Sequence, residues 1–144
     1  MRFQLRDCLG LALAGGLTAA APRAALAQIE VHISKATQTM DVTVDGAHYA
    51  TWRVSTASSE YRTPSGTFRP RRLEKVWFSR KYDDAPMPHS IFFLGGYAIH
   101  GTNSVRALGR PVSHGCIRLA PGNAAALFNM VRERGMRSTR IRIT

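Results

Sequence analysis

Within a single stretch of 17 residues the chain places one thiol, Cys116, and two imidazoles, His100 and His114. The densest part is Ser113-His114-Gly115-Cys116-Ile117-Arg118. A cysteine attacks as its thiolate, and an ordinary thiol is mostly protonated at neutral pH. It therefore needs a base or a positive charge beside it. His114 is two residues from Cys116, so an extended chain would set the two side chains on one face, but side by side. His100 closes a short apolar segment and can approach from a neighbouring strand, which is the better geometry for proton transfer. Gly115 removes bulk beside the nucleophile. The backbone N–H groups of Gly115 and Cys116 are candidates to hold an oxyanion. Two other readings stay open on chemistry alone. Cys116, His100 and His114 form a plausible three-ligand zinc set. Equally, a buried inert cysteine could sit among core histidines.

The elements that must position these groups are mostly strands. Ile29, Val31 and Ile33 share one face of a strand, and Met40, Val42 and Val44 share one face of the next. Asp45-Gly46 is a hairpin turn signal, with a third strand expected over Tyr49 to Ser55. Thr67-Phe68 and Val76-Trp77-Phe78 read as strand pieces around the basic run Arg69-Pro70-Arg71-Arg72. Ser90 to Leu94 reads as a buried strand, and Tyr97-Ala98-Ile99 as another short one. A polar loop of 12 residues separates His100 from Ser113. Only one segment reads as a helix, from about Asn123 to Arg134. Ala124, Leu127, Phe128 and Val131 lie on its apolar face, Pro121 and Asn123 mark its start, and Gly135 marks its end. The chain closes on the alternating strand Thr139 to Thr144. The expected fold is mainly β, a sandwich or barrel with one helix in the C-terminal half. Trp52 and Trp77 are assigned to the core. His32 and His48 go to the surface, and His89 is expected to pack. Tyr82 and Met87 are placed at the border of a cleft.

Residues 1–27 read as a cleaved signal peptide. Arg2 and Arg6 precede an apolar stretch from Leu9 to Ala21, and Ala25-Leu26-Ala27 supplies a small-x-small cleavage pattern. Cys8 precedes the apolar stretch, so it is not placed as a lipid anchor. Removing this leader takes away Cys8, three arginines and one aspartate. The net charge falls from +11 to +9, and Cys116 is left as the only thiol. The remaining segment, 28–144, is large enough for a core without disulfide staples. No apolar run reaches the ~20 residues of a membrane-spanning helix. A basic exported domain suits an anionic partner, such as a cell-wall polymer, a membrane surface or extracellular nucleic acid. The basic residues lack the aromatic interleaving of single-strand binders, so no nucleic-acid partner is expected, and most of the charge is read as a solvated face.

His100-Gly101-Thr102 followed by Ser113-His114-Gly115-Cys116-Ile117-Arg118-Leu119 resembles the signature of the L,D-transpeptidase catalytic domain, the YkuD-type domain. Val54-Ser55-Thr56, Thr63-Pro64-Ser65-Gly66-Thr67-Phe68 and Met87-Pro88-His89-Ser90-Ile91-Phe92-Phe93 resemble its supporting segments, so the likeness covers nearly all of residues 28–144. The resemblance implies that Cys116 is the acylated nucleophile and His100 its base, with the Gly101 carbonyl orienting the imidazole. It implies that His114 and Gly115 order the nucleophile loop and oxyanion site, and that Ser113, Arg118 and Tyr97 bind substrate. For Arg118 a structural ion pair is weighed equally. Implied too is peptidoglycan chemistry in the periplasm or cell envelope. Cys116 attacks the third-residue carbonyl of a tetrapeptide stem, D-Ala leaves, and an amine of another stem captures the thioester in a 3→3 cross-link. Water, or an amine on an outer-membrane protein, is an alternative acceptor, and a non-catalytic wall-binding module is a further reading. The expected protein is a monomer that needs neither cofactor nor metal. The short interval between His100 and Ser113 implies a small lid.

Overall fold

A computed structural model describes residues 28–144; the expected leader lies outside the described residues. Among the described residues eleven strands and one α-helix follow one another: β1 (Ile29–Ser34), β2 (Thr39–Val44), β3 (Ala47–Arg53), β4 (Gly66–Phe68), β5 (Arg72–Glu74), β6 (Phe78–Ser79), β7 (Ala85–Pro86), β8 (Ser90–Leu94), β9 (Tyr97–Gly101), β10 (Ile117–Leu119), α1 (Pro121–Arg134) and β11 (Thr139–Ile143). Single 3₁₀ turns occupy Val105–Ala107 and Met136–Ser138. The expected mainly β architecture with one late helix is what the chain adopts.

Two sheets enclose the core. One has the order β3-β2-β1-β11-β4 and the other β10-β9-β8-β5, while β6 and β7 form a separate hairpin. The alternation read from the sequence decides which residues turn inward. Ile29, Val31 and Ile33 of β1, Met40 and Val42 of β2, and Ile141 and Ile143 of β11 are all buried. They meet Ile91, Phe93, Ile99, Ile117 and Leu119 from the second sheet. Asp45 and Gly46 both take positive φ, 51° and 81°, as a tight hairpin between β2 and β3 requires.

The second sheet is covered on both faces, which explains why β8 is a continuous apolar run rather than an alternating one. Its inner face joins the main core. Its outer face carries a smaller cluster of Met87, Phe92 and Ala98, against which Trp77 and Cys116 pack. Trp77 is therefore only half-buried, on the outer cluster, and not in the main core as expected. Trp52 is likewise half-buried, packed against the core's edge.

Two local expectations need correction. The helix starts with Pro121 at its first position after Ala120, and Asn123 lies inside the first turn without capping it. Gly135, at φ 98°, ends the helix as expected. β5, which begins at the last arginine of the basic run, is not among the expected strands. Arg72 pairs across the sheet with Phe92, and its guanidinium lies over the Phe92 ring at 3.9 Å and the Trp77 ring at 4.5 Å. Aromatic faces compensate there for putting a charge on a strand.

A buried glutamine ties the first sheet to the segment leading to the site. Gln38 has positive φ (55°) between β1 and β2. Its Nε2 donates to the Lys35 carbonyl and the Thr56 hydroxyl at 2.8 and 2.7 Å, and its Oε1 accepts from the Thr56 amide at 2.9 Å. Replacing Gln38 with Leu strands the Thr56 amide in an apolar setting. The expected loss is about 1–3 kcal/mol of stability, read from the urea midpoint; a midpoint equal to the wild type's would refute this role for Gln38.

Candidate active site

Cys116 is placed by strand pairing. β10 runs parallel to β9, with Ile117 opposite Ile99, Arg118 opposite His100 and Leu119 opposite Gly101. Ile117 and Leu119 turn into the main core, so Arg118, and Cys116 two residues before it, face the other way. Ile99 also turns inward, so His100 and Ala98 face the same side as Cys116. Cys116, His100 and Arg118 thus meet in one cleft of about 530 Å³. Its far wall is the β6–β7 hairpin.

The edge of β10 is held by the segment after β3. The Ser55 amide donates to the Arg118 carbonyl at 3.1 Å, and the Arg118 amide donates back at 2.9 Å. Ser113 and Thr56 continue this ladder, the Ser113 amide donating to the Thr56 carbonyl at 2.9 Å. Inside the turn that leads into Cys116 the Ser113 hydroxyl donates to the Cys116 carbonyl (2.6 Å) and accepts from the Gly115 amide (3.1 Å). The Thr63 hydroxyl donates to the Gly115 carbonyl at 2.7 Å and accepts from the Ala57 amide at 3.0 Å.

His100 is buried, and its Nδ1 lies 2.7 Å from the Gly101 carbonyl. A carbonyl only accepts, so Nδ1 carries the proton and Nε2 keeps a free lone pair. Burial lowers the imidazole pKa most; the Gly101 carbonyl opposes this and the Arg118 charge adds to it, leaving a value of about 4. Burial pushes the Cys116 thiol upward, against the pull of the Ala98 backbone amide and the Arg118 charge. Both groups are therefore neutral at pH 7. The thiol donates at 3.7 Å to the Gly96 carbonyl. The cleft therefore holds a neutral thiol and a neutral imidazole on the same face.

Residues 28–143 match the family model of the L,D-transpeptidase catalytic domain, YkuD. The chain belongs to this family. YqjB of Bacillus subtilis (strain 168) is 28% identical over 114 residues, covering 70% of this chain and 65% of that protein. An L,D-transpeptidase structure from Mycobacterium smegmatis superposes with a TM-score of 0.71 at 27% identity, covering 81% of this chain and 58% of that one. One from Mycobacterium tuberculosis H37Rv, at 20% identity, shares the fold with a TM-score of 0.74 over 81% of this chain and 57% of that one. The chain thus spans less than two-thirds of the length of these relatives.

Within this L,D-transpeptidase domain the structure redistributes several expected parts. Tyr97 turns toward the main core and stacks on Phe93 behind Gly115, so it does not line the cleft. Ser113 is fully buried, and its hydroxyl bonds inside the turn, so it braces the loop and does not offer that group to a substrate. The Gly115 amide already donates to Ser113, which removes it as an oxyanion donor. What Gly115 contributes is conformation: φ is +132°, and a Cβ there would lie 2.8 Å from Tyr97 Cε1 and 3.0 Å from the Arg62 carbonyl. His114 is not on a strand beside Cys116. Its ring stacks on Tyr82 at 4.2 Å and meets Tyr61 edge-on at 4.7 Å. Among the described residues no three His, Cys, Asp or Glu side chains converge as a metal-ligand set, so the zinc reading lacks its third ligand. Nor does Arg118 make an ion pair among the described residues. The short 102–112 loop lines one side of the cleft, while the cover over the other side is the β6–β7 hairpin, which carries Tyr82. Only Tyr82 and Met87 had marked that wall in the sequence.

The thiol's raised pKa predicts slow alkylation of Cys116 by iodoacetamide at pH 7, accelerating only above the ordinary thiol range; fast alkylation at neutral pH would contradict the neutral pair. His100 contributes pH dependence with the opposite sense. Its folded pKa lies below the unfolded 6.5, so the stability it confers is complete above 6.5 and lost as pH falls toward 4. Urea melts at pH 7 and 4.5 should differ more for the wild type than for His100→Gln. Gly115→Ala should slow labelling of Cys116 or change it in kind, since the turn has to move.

Proposed function

We propose that the protein is a peptidoglycan L,D-transpeptidase whose nucleophile is Cys116 and whose base is His100. The observation that carries this reading is the free Nε2 lone pair of a buried, neutral imidazole, on the same face of paired strands as the thiol. In the donor step the Cys116 proton passes to His100 Nε2 as sulfur bonds to the third-residue carbonyl carbon of a tetrapeptide stem. The C–N bond to D-Ala then breaks, and the imidazolium returns its proton to the departing amine. The proton is handed over during attack because burial disfavours a standing ion pair. General acid–base help of this kind contributes roughly 10²–10⁴-fold. In the second step an acceptor amine gives a proton to His100, a new C–N bond forms, the C–S bond breaks, and the imidazolium returns the proton to the departing sulfur, restoring the neutral pair. The oxyanion falls to the Cys116 amide and the Arg118 guanidinium, since the Gly115 amide is occupied.

Arg118 has a second task in this reading. D-Ala leaves with a free carboxylate three bonds from the scissile carbonyl carbon, and an unpaired guanidinium in the same cleft is suited to hold it. Action in the cell envelope, where such stems are found, belongs to the same proposal.

Cys116→Ala should abolish D-Ala release from a tetrapeptide muropeptide and remove the thioester mass adduct while the protein stays folded. Turnover in that variant would end the proposal. His100→Ala should slow acylation more than His114→Ala, because His114 is engaged with the tyrosines. The reverse order would transfer the role of base.

A further inference from the structure

The outer face of the first sheet, on the far side of the sandwich from Cys116, carries a second groove of about 490 Å³. Its floor is the set of side chains on β1, β2 and β11 that alternate outward while their neighbours turn into the core. Register sorts the charges on that floor. β1 lies between β2 and β11, so His32 has Asp41 opposite it on one side and Arg142 on the other. One row further along, Glu30 is opposite Arg140, and the two form an ion pair at 2.9 Å.

Asp41 and Arg142 cannot do the same. Two strand spacings, about 10 Å between backbones, separate them. The His32 ring stands on the strand between, its Nε2 3.0 Å from the Thr144 hydroxyl. Arg142 makes no ion pair among the described residues. Asp41 accepts from the Thr51 hydroxyl and lies 4.0 Å from His48 Nε2, both through Oδ1, so Oδ2 remains available. Direct cross-strand pairing of opposite charges is the arrangement that stabilises a sheet. Here one acid and one base are held apart across a groove instead.

The surroundings narrow the ligand. Glu30 and Asp41 oppose a polyanion. A lipid surface or an apolar partner finds no purchase, because none of the exposed large apolar side chains lines the groove. What fits is a molecule with an ammonium at one end and a carboxylate at the other.

We infer that this groove is a second, non-catalytic binding site for a zwitterionic peptide, its ammonium held by Asp41 and its carboxylate by Arg142. The source of that peptide rests on the proposed function: the side-chain amine of a wall stem's third residue and the carboxylate of its D-Ala supply the two charges. A stem bound there tethers the domain to the polymer while the cleft on the opposite face works on another, raising the local concentration of substrate.

The test titrates the Cys116→Ala protein, which cannot be acylated, with Nα-acetyl-lysyl-D-alanine. This probe carries one ammonium and one carboxylate. Ring resonances of His32 read the groove by NMR, and those of His100 read the cleft. The expected result is saturable movement of His32. Its dissociation constant should rise about tenfold, the scale of one charge-assisted hydrogen bond, when the probe's amine is acetylated or its carboxylate amidated. The same rise is expected in Asp41→Asn and in Arg142→Gln, with the His100 titration unchanged. In the presence of Cys116 both substitutions should leave D-Ala release from a soluble muropeptide unchanged. A His32 ring that does not move, blocked probes that bind as tightly as the zwitterion, a constant unchanged in both variants, or tighter binding of tripolyphosphate than of the probe overturns the inference. If D-Ala release proceeds while His32 is silent, only the groove assignment fails. If release is absent while His32 responds to both charges, the proposed function fails and the groove stands as a peptide site.

Discussion

The parallel pairing of β10 with β9 is the constraint on which the site depends. It sets Arg118 opposite His100, and two residues earlier the chain delivers Cys116 to the same face. The pairing has to be in register. A slip of one residue would turn Cys116 into the main core and bring Ile117 or Leu119 out to the cleft. Burying those two side chains completely therefore fixes the direction of the thiol as well as stabilising the sheet. Core packing and site geometry are here one requirement.

A polar scaffold holds that register from outside. Gln38 grips Thr56, the Thr56 carbonyl takes the Ser113 amide, and the Ser113 hydroxyl closes the turn around Gly115. Thr63 grips the same turn from the other side. Each of these residues is buried and each has its hydrogen bonds made. A buried network that is fully satisfied specifies one geometry, because any alternative leaves a polar group without a partner. This suits a turn that must keep a thiol available in a conformation that only glycine adopts readily at position 115.

Burial also determines the electrostatics. It discourages charge on both the thiol and the imidazole, and the Arg118 guanidinium favours a thiolate while opposing an imidazolium. A charged pair at rest is thereby replaced by two neutral partners. A thiol held neutral in this way reacts more slowly with stray electrophiles than a thiolate would. On the opposite side Tyr82 and His114 line the cleft as a stacked pair, and Tyr61 packs edge-on against both.

Much of the fold was legible because its signals are local. Ile29, Val31 and Ile33 alternate, Asp45-Gly46 turns, Ala124, Leu127, Phe128 and Val131 repeat at helical spacing, and Gly135 stops the helix. A strand or helix period is carried by neighbouring residues, and the Ser113–Arg118 run together with His100 carries the family resemblance in the same way. β5 was not legible, because an arginine on a strand makes sense only once Phe92 and Trp77 lie beneath it. The same limit applies to His114, Tyr97 and the Gly115 amide. Their types were read correctly, but their partners, Tyr82, Phe93 and Ser113, are set by how the chain closes on itself. The amino-acid order by itself determined most of the elements and which residues could react. The tertiary structure alone decided which face each reactive group takes, what it touches and whether it carries charge, because orientation, desolvation and hydrogen bonding depend on groups that long-range strand pairing brings near.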